Sequence, residues 1–252
     1  MRRRTGWALL FCAILMFHTS SATAQTRVDV ELELVLAVDV STSVDDDEFN
    51  LQRVGFAEAF RHPDVLRAIR TVGPNGIAVS MSHWSSTRSQ AAIVAWMHVF
   101  DTASAERFAN AVLQVPRRFK GTTDISGAID HSVRRLMTNR FIGKRMAIDV
   151  SGDGTSDPAR DAAARDRAVA RGITINGLAI HNEDIDLGEL AKLDLTDHYA
   201  RHVIGGPGSF IMAAADFSDF RRAIRQKLIR EILGPNIALY GQSGSAVGQL
   251  IE

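Results

Sequence analysis

The 252-residue sequence predicts an α/β fold: a doubly wound, mostly parallel central sheet flanked by helices on both faces, with one antiparallel edge strand. Three observations predict it. Leu32 to Val38 is a nearly unbroken apolar run, the pattern of a strand buried on both faces of a parallel sheet. Strand-like runs then alternate with amphipathic segments of helical length. One pair of strand-like runs is joined by a short polar link, which suits an antiparallel hairpin rather than a crossover.

The elements follow in order. The first strand ends at Asp39. Asp45 to Phe60 reads as a helix, with acids crowding its first turn, where the helix dipole favours them, and with Phe49, Phe56 and Phe60 on one face. Ile77 to Trp84 and Ala91 to His98 are strands around the Ser85–Gln90 turn. Ala103 to Val115 is helical and stops before Pro116. Ser126 to Met137 is helical, with Ile129, Val133 and Leu136 in register. Met146 to Val150 and Ile173 to Ile180 are strands. The helix between them opens at Asp157-Pro158, a cap followed by proline at the first helical position, and ends at Gly172. Ser209 to Ala213 is a last strand and Asp216 to Leu233 a last helix, striped by Phe217, Phe220, Ile224 and Leu228 and stopped by Gly234-Pro235. Nothing resembling a linker divides residues 28–233, so they form one domain. Residues 234–252 read as a loose tail.

Composition narrows the function. With 29 basic and 29 acidic residues the net charge is zero, which argues against a nucleic-acid binder or a polybasic membrane-surface protein. Residues 1–24 read as a secretory signal: Arg2, Arg3 and Arg4, an apolar stretch from Trp7 to Phe17, then Ala22-Thr23-Ala24 as cleavage site. No later run is long enough to span a bilayer. The single cysteine, Cys12, leaves with the signal, so the mature chain has no disulfide, thiolate metal site or cysteine nucleophile. The expected location is periplasmic or extracellular.

Ligands of open α/β sheets bind beyond the carboxyl ends of the strands. Three loops there carry polar clusters: Asp39-Val40-Ser41-Thr42-Ser43, Gly121-Thr122-Thr123-Asp124-Ile125 and Ser151-Gly152-Asp153-Gly154. They supply carboxylates and hydroxyls, hard oxygen donors that suit Mg²⁺ or Mn²⁺ better than zinc. A plainer reading, in which Asp39 and Ser43 only cap the next helix, leaves the other two loops unexplained.

The D-x-S-x-S of Asp39, Ser41 and Ser43, then Thr123, then Asp153 resembles the metal-ion-dependent adhesion site (MIDAS) of the von Willebrand factor type A domain, a Rossmann-like fold. Over most of residues 28–233, pieces such as Val150-Ser151-Gly152-Asp153-Gly154 and Ile175-Asn176-Gly177-Leu178 also resemble a family of secreted bacterial A-domain proteins of unassigned function, DUF1194. The resemblance implies that Ser41, Ser43 and Thr123 coordinate the metal. It also implies that Asp39 and Asp153 bind directly or through water, and that an Asp or Glu carboxylate of a partner protein fills a remaining position. Asp46 and Asp47 stand at a spacing resembling the adjacent second metal site of integrin β subunits, although helix-dipole acids are the simpler account. Asp124 and Asp149 are candidates for supporting the metal loops; for Asp149 an ordinary salt bridge serves equally well.

Other candidates are weaker. His198 and His202 are spaced i, i+4 but lack a third zinc ligand. Trp84 and Trp96 read as sheet packing, and Gly205-Gly206-Pro207-Gly208 as a turn. The leading expectation is a metal-dependent protein-binding module and not an enzyme. Its alternatives are a Mg²⁺-dependent hydrolase using the same metal, which lacks a base beside Ser41 or Ser43, and a metal-independent structural component of an envelope assembly.

Overall fold

The computed structural model describes residues 26–181 and 195–234; the predicted signal segment, nearly all of the tail and residues 182–194 lie outside these. Six strands form one sheet in the order β3-β2-β1-β4-β5-β6. These are β1 (Val28–Asp39), β2 (Ile77–Trp84), β3 (Gln90–Val99), β4 (Phe141–Gly152), β5 (Ile173–Ile180) and β6 (Ile211–Ala214). Every pairing is parallel except β2 with β3, as the short polar link requires. From β1 the chain winds outward to β2 and β3, then returns to β4 on the other side of β1. The sheet therefore reverses direction between β1 and β4, and a crevice opens at their carboxyl ends.

Helices cover both faces. On one, α1 (Asp46–Arg61), α2 (Pro63–Val72), α3 (Thr102–Leu113) and α6 (Phe220–Leu233) bury Phe56, Phe60, Ile69, Phe108, Phe220 and Leu228 against β1 and β2. Phe56 meets Phe220 edge-on with ring centres 5.4 Å apart, a favoured geometry for aromatic pairs. On the other face lie α4 (Ile125–Met137), α5 (Pro158–Val169) and a π-helical turn (Tyr199–Val203), with Ile129, Ala164, Ala168 and Tyr199 packed on Val35, Ile148 and Ile175.

Several bounds differ from expectation: β4 begins at Phe141 rather than Met146, and the helices differ chiefly at three places. Asp45 is the N-cap of α1, not its first residue: its carboxylate accepts from Glu48 N (2.7 Å) while Glu48 returns a bond to Asp45 N. This also shows that Asp39 and Ser43 do not cap that helix. The helix α2 is additional, started by His62, whose ring nitrogen accepts from Asp64 N, and by Pro63. The last helix begins at Phe220, because Asp216 folds back to accept from Ser218 Oγ and Asp219 N and so makes a turn first.

Burial is not wholly apolar. Lys227 of α6 is fully buried and forms ion pairs of 2.6 Å with Asp149 of β4 and with Glu231. Asn176 of β5 donates to Glu231 (3.1 Å) and accepts from Phe210 N. Near the end of the same helix, Arg145 at the amino end of β4 donates to the carbonyls of Glu231 and Ile232 (3.1 and 2.5 Å), satisfying groups a helix end leaves open.

Candidate metal centre

The site grows out of the end of β1. Asp39 is wholly buried as the last residue of the strand, and its Oδ1 accepts from Ser41 N at 2.7 Å, which bends the chain sharply. The bend carries Ser41 and Ser43 back over the strand end, with their hydroxyls 3.1 Å apart. Thr42 N donates to Gly121 O (2.8 Å) and Gly121 N donates to Thr42 Oγ1 (3.0 Å), fastening the second loop to the first. The third loop closes the cluster, since Ser43 Oγ donates to Asp153 Oδ1 at 2.8 Å. Thr123 faces that loop: a Cβ at Gly154 would stand 3.0 Å from its Oγ1, so glycine permits the approach. The structure thus brings Asp39, Ser41, Ser43 and Asp153 into one hydrogen-bonded group, with Thr123 against its border.

Electrostatics sets this group apart. Burial, then the charge of Asp153, pushes Asp39 up to about 8. Burial also raises Asp153, opposed by its bond from Ser43. Asp39 Oδ2 and Asp153 Oδ2 are buried without a hydrogen-bond partner among the described residues. Two repelling acids with spare lone pairs beside three hydroxyls form a donor set for a hard divalent cation. No three His, Cys, Asp or Glu side chains group as metal ligands among the described residues. An ion at this place would therefore owe much of its coordination to hydroxyls and water, as Mg²⁺ commonly does.

The sequence profile described as "Protein of unknown function (DUF1194)" matches residues 29–236, from the second residue of β1 through the last helix. The chain belongs to that family. A search of curated proteins finds no match. Among solved structures, the DUF1194 chain is similar to a von Willebrand factor type A protein from Catenulispora acidiphila, at 15% identity and TM-score 0.54, over 80% of this chain and 43% of that one. It is similar to the PilB minor pilin of Streptococcus sanguinis at 11% identity and TM-score 0.57, over 80% and 61%. It is also similar to proximal thread matrix protein 1 of the mussel byssus at 11% and 0.55, over 82% and 46%. At such identities the likeness is one of fold, and that fold is the von Willebrand A type. The chain spans about half the length of these relatives.

The remaining sequence candidates fall elsewhere in the DUF1194 domain. Asp46 is exposed and pairs with Arg117 (3.1 Å) and Lys120 (3.9 Å). Asp47 is an exposed residue of the first turn of α1. Asp124 caps α4, accepting from Gly127 N and Ser126 Oγ (3.1 and 2.6 Å). Asp149 gives its carboxylate to Lys227 in the core, not to the metal loops. His198 is buried and its Nε2 meets Asp161 at 2.9 Å, which makes it a core histidine.

Two contributors carried no sequence signal. Arg117 donates to the carbonyls of Val40, Ser41 (2.7 Å) and Val44, gathering the first loop around one guanidinium. Tyr199, fully buried, brings an unpartnered hydroxyl to the strand ends. Burial, then the charges of Asp39 and Asp153, raises its phenol well above the ordinary value, so it stays an O–H donor. The nearest thing to a signal for Tyr199 is Gly177, a glycine inside the strand Ile173–Ile180, where a missing side chain leaves room for a close approach.

Proposed function

We propose that this DUF1194 domain is a divalent-cation-dependent protein-binding module of the bacterial exterior or periplasm. In this reading Mg²⁺ or Mn²⁺ is held by Asp39, Ser41, Ser43, Thr123 and Asp153, and a partner protein adds an Asp or Glu carboxylate. The observation that carries it is the chain Ser41–Ser43–Asp153 beside the unpaired buried oxygens of Asp39 and Asp153. It stands where the sheet reverses direction, and exposed Ser43 opens it to solvent. The metal supplies a positive charge shared between protein and partner; the protein residues fix its place and leave a coordination position for an outside ligand.

An exported location is supported by the arginine-led apolar segment at residues 1–24 and by the extracytoplasmic character of the similar folds, which include a minor pilin and a pilus adhesin. No helix among the described residues is long and apolar enough to cross a membrane. The hydroxyls of Ser41 and Ser43 face each other and a carboxylate, an arrangement suited to ligation rather than to nucleophilic attack.

Thermal melting with Mg²⁺ and with chelator tests the proposal. Mg²⁺ at a hundred times its Kd is expected to add about 2.7 kcal/mol of stability. Asp39→Ala removes that increment. A melting curve indifferent to millimolar Mg²⁺ and Mn²⁺ overturns the metal reading. Affinity capture from envelope extract in Mg²⁺, with chelator elution and Ser41→Ala as control, tests the partner half.

A further inference from the structure

One buried polar group at the strand ends has no role in the metal reading. Tyr199 sits in the π-helical turn, a geometry often found where a helix is bent to serve a site. Its ring lies over β5: a Cβ at Gly177 would stand 2.9 Å from ring carbon Cδ1. Its hydroxyl reaches the end of β4, where a Cβ at Gly152 would stand 2.9 Å from the hydroxyl and 2.8 Å from Asp39 Oδ2. Both oxygens thus crowd one point that only glycine leaves free. No hydrogen bond joins them in this arrangement, and their approach to one point puts them within reach across one water or, after a small side-chain shift, directly. Both are buried, and neither has a partner among the described residues.

The turn that carries Tyr199 is itself tied to the metal loops. His198 Nε2 meets Asp161 at 2.9 Å, and Asp161 accepts from Ser156 Oγ at 2.8 and 2.7 Å. Ser156 Oγ in turn accepts from Ile125 N at 3.1 Å, two residues beyond Thr123. One hydrogen-bonded chain therefore joins the turn to the Thr123 loop.

Resting on the metal reading, we infer that Tyr199 is a positioning residue of the centre, its hydroxyl donating to Asp39 Oδ2 directly or through one water. Ser41 N already holds Oδ1. With both oxygens held, the carboxylate cannot rotate, and the lone pairs offered to the cation are fixed before the cation arrives. Such supporting bonds commonly govern metal affinity by 10- to 100-fold.

The test is calorimetric Mg²⁺ titration of the mature chain as wild type, Tyr199→Phe and Asp39→Ala. Tyr199→Phe removes the hydroxyl and keeps the ring, so its metal-free melting temperature should stay close to wild type while the Mg²⁺ Kd rises about tenfold or more. A packing role alone would move the melting temperature and not the Kd. A second readout does not depend on Tyr199→Phe: the chain has two tyrosines, so in folded Tyr240→Phe the remaining tyrosine ¹³Cζ resonance is Tyr199, and it should shift on Mg²⁺ addition. An unchanged Kd in Tyr199→Phe, or a Tyr199 resonance unmoved by saturating Mg²⁺, overturns the inference and leaves the metal reading standing. A wild type that binds neither Mg²⁺ nor Mn²⁺ overturns both.

Discussion

In the middle of the sheet Asp149 and Glu231 share the ammonium of Lys227, whereas at the ends of β1 and β4 Asp39 and Asp153 share none. Among the described residues no lysine or arginine is in ion-pair contact with either acid of the upper pair; Arg117 lies close, but its donors are spent on backbone carbonyls and Asp46. Burial and a neighbouring acid push Glu231 and Asp39 alike to about 8. The two sites pose the same physical problem, a pair of carboxylates removed from water, and differ in that only the core meets it with an ammonium of the chain. The core carries its cation on the chain, so that site is complete on folding. The strand-end site opens to solvent at Ser43, which on the proposed reading is where the divalent cation enters.

The largest effect separating the two should come from Lys227→Met. It strands two buried acids, and an expected loss of about 3–5 kcal/mol is read by chemical denaturation. The same variant should keep the full Mg²⁺-induced rise in melting temperature, because the sites share no ligand. Loss of that rise would mean the two carboxylate pairs are one coupled network.

The acids can be compared through pH. Glu231 has a folded value above its unfolded one, so the folded chain holds a proton that the unfolded chain releases. Stability then declines as pH rises from the ordinary carboxylate range through about 8. Glu231→Gln should flatten this decline by at least about 1.4 kcal/mol between pH 5 and 8 in chelator, measured from melting curves. Asp153→Asn should raise metal-free stability by about 1 kcal/mol, since it removes one member of a repelling pair, and should abolish the response to Mg²⁺. Smallest is Asp46→Asn. With its side chain 83% exposed, its ion pairs are worth at most about 0.5 kcal/mol, and the Mg²⁺ Kd should stay within about twofold. A larger loss of affinity would restore the reading of Asp46 as an adjacent metal ligand.

Much of this was legible in the residues. Strands buried on both faces announce themselves as apolar runs, and the β2–β3 hairpin follows from its short link. The cluster of Asp39, Ser41, Ser43 and Asp153 was legible because motif and strand end coincide in each loop. Short α2 escaped notice because it follows α1 after a single residue, and its signals, His62 and Pro63, also read as an ending. Arg117 and Tyr199 escaped because their partners are distant in sequence and, for Arg117, mainly backbone carbonyls, which leave no pattern. The destiny of Asp149 depended on Lys227, 78 residues later and outwardly an ordinary polar position of an amphipathic helix. Spacing shows what one element can do; it does not show which side chain from another element will arrive.

The clamp of Arg145 on the final carbonyls of α6 has a practical corollary. It fixes the end of α6 at the amino ends of the strands, where Val28 also enters β1, so residues 28 and 234 both stand at the pole away from the oxygen cluster. A fluorophore or affinity handle attached at residue 28 or 234 therefore sits on the side opposite that cluster.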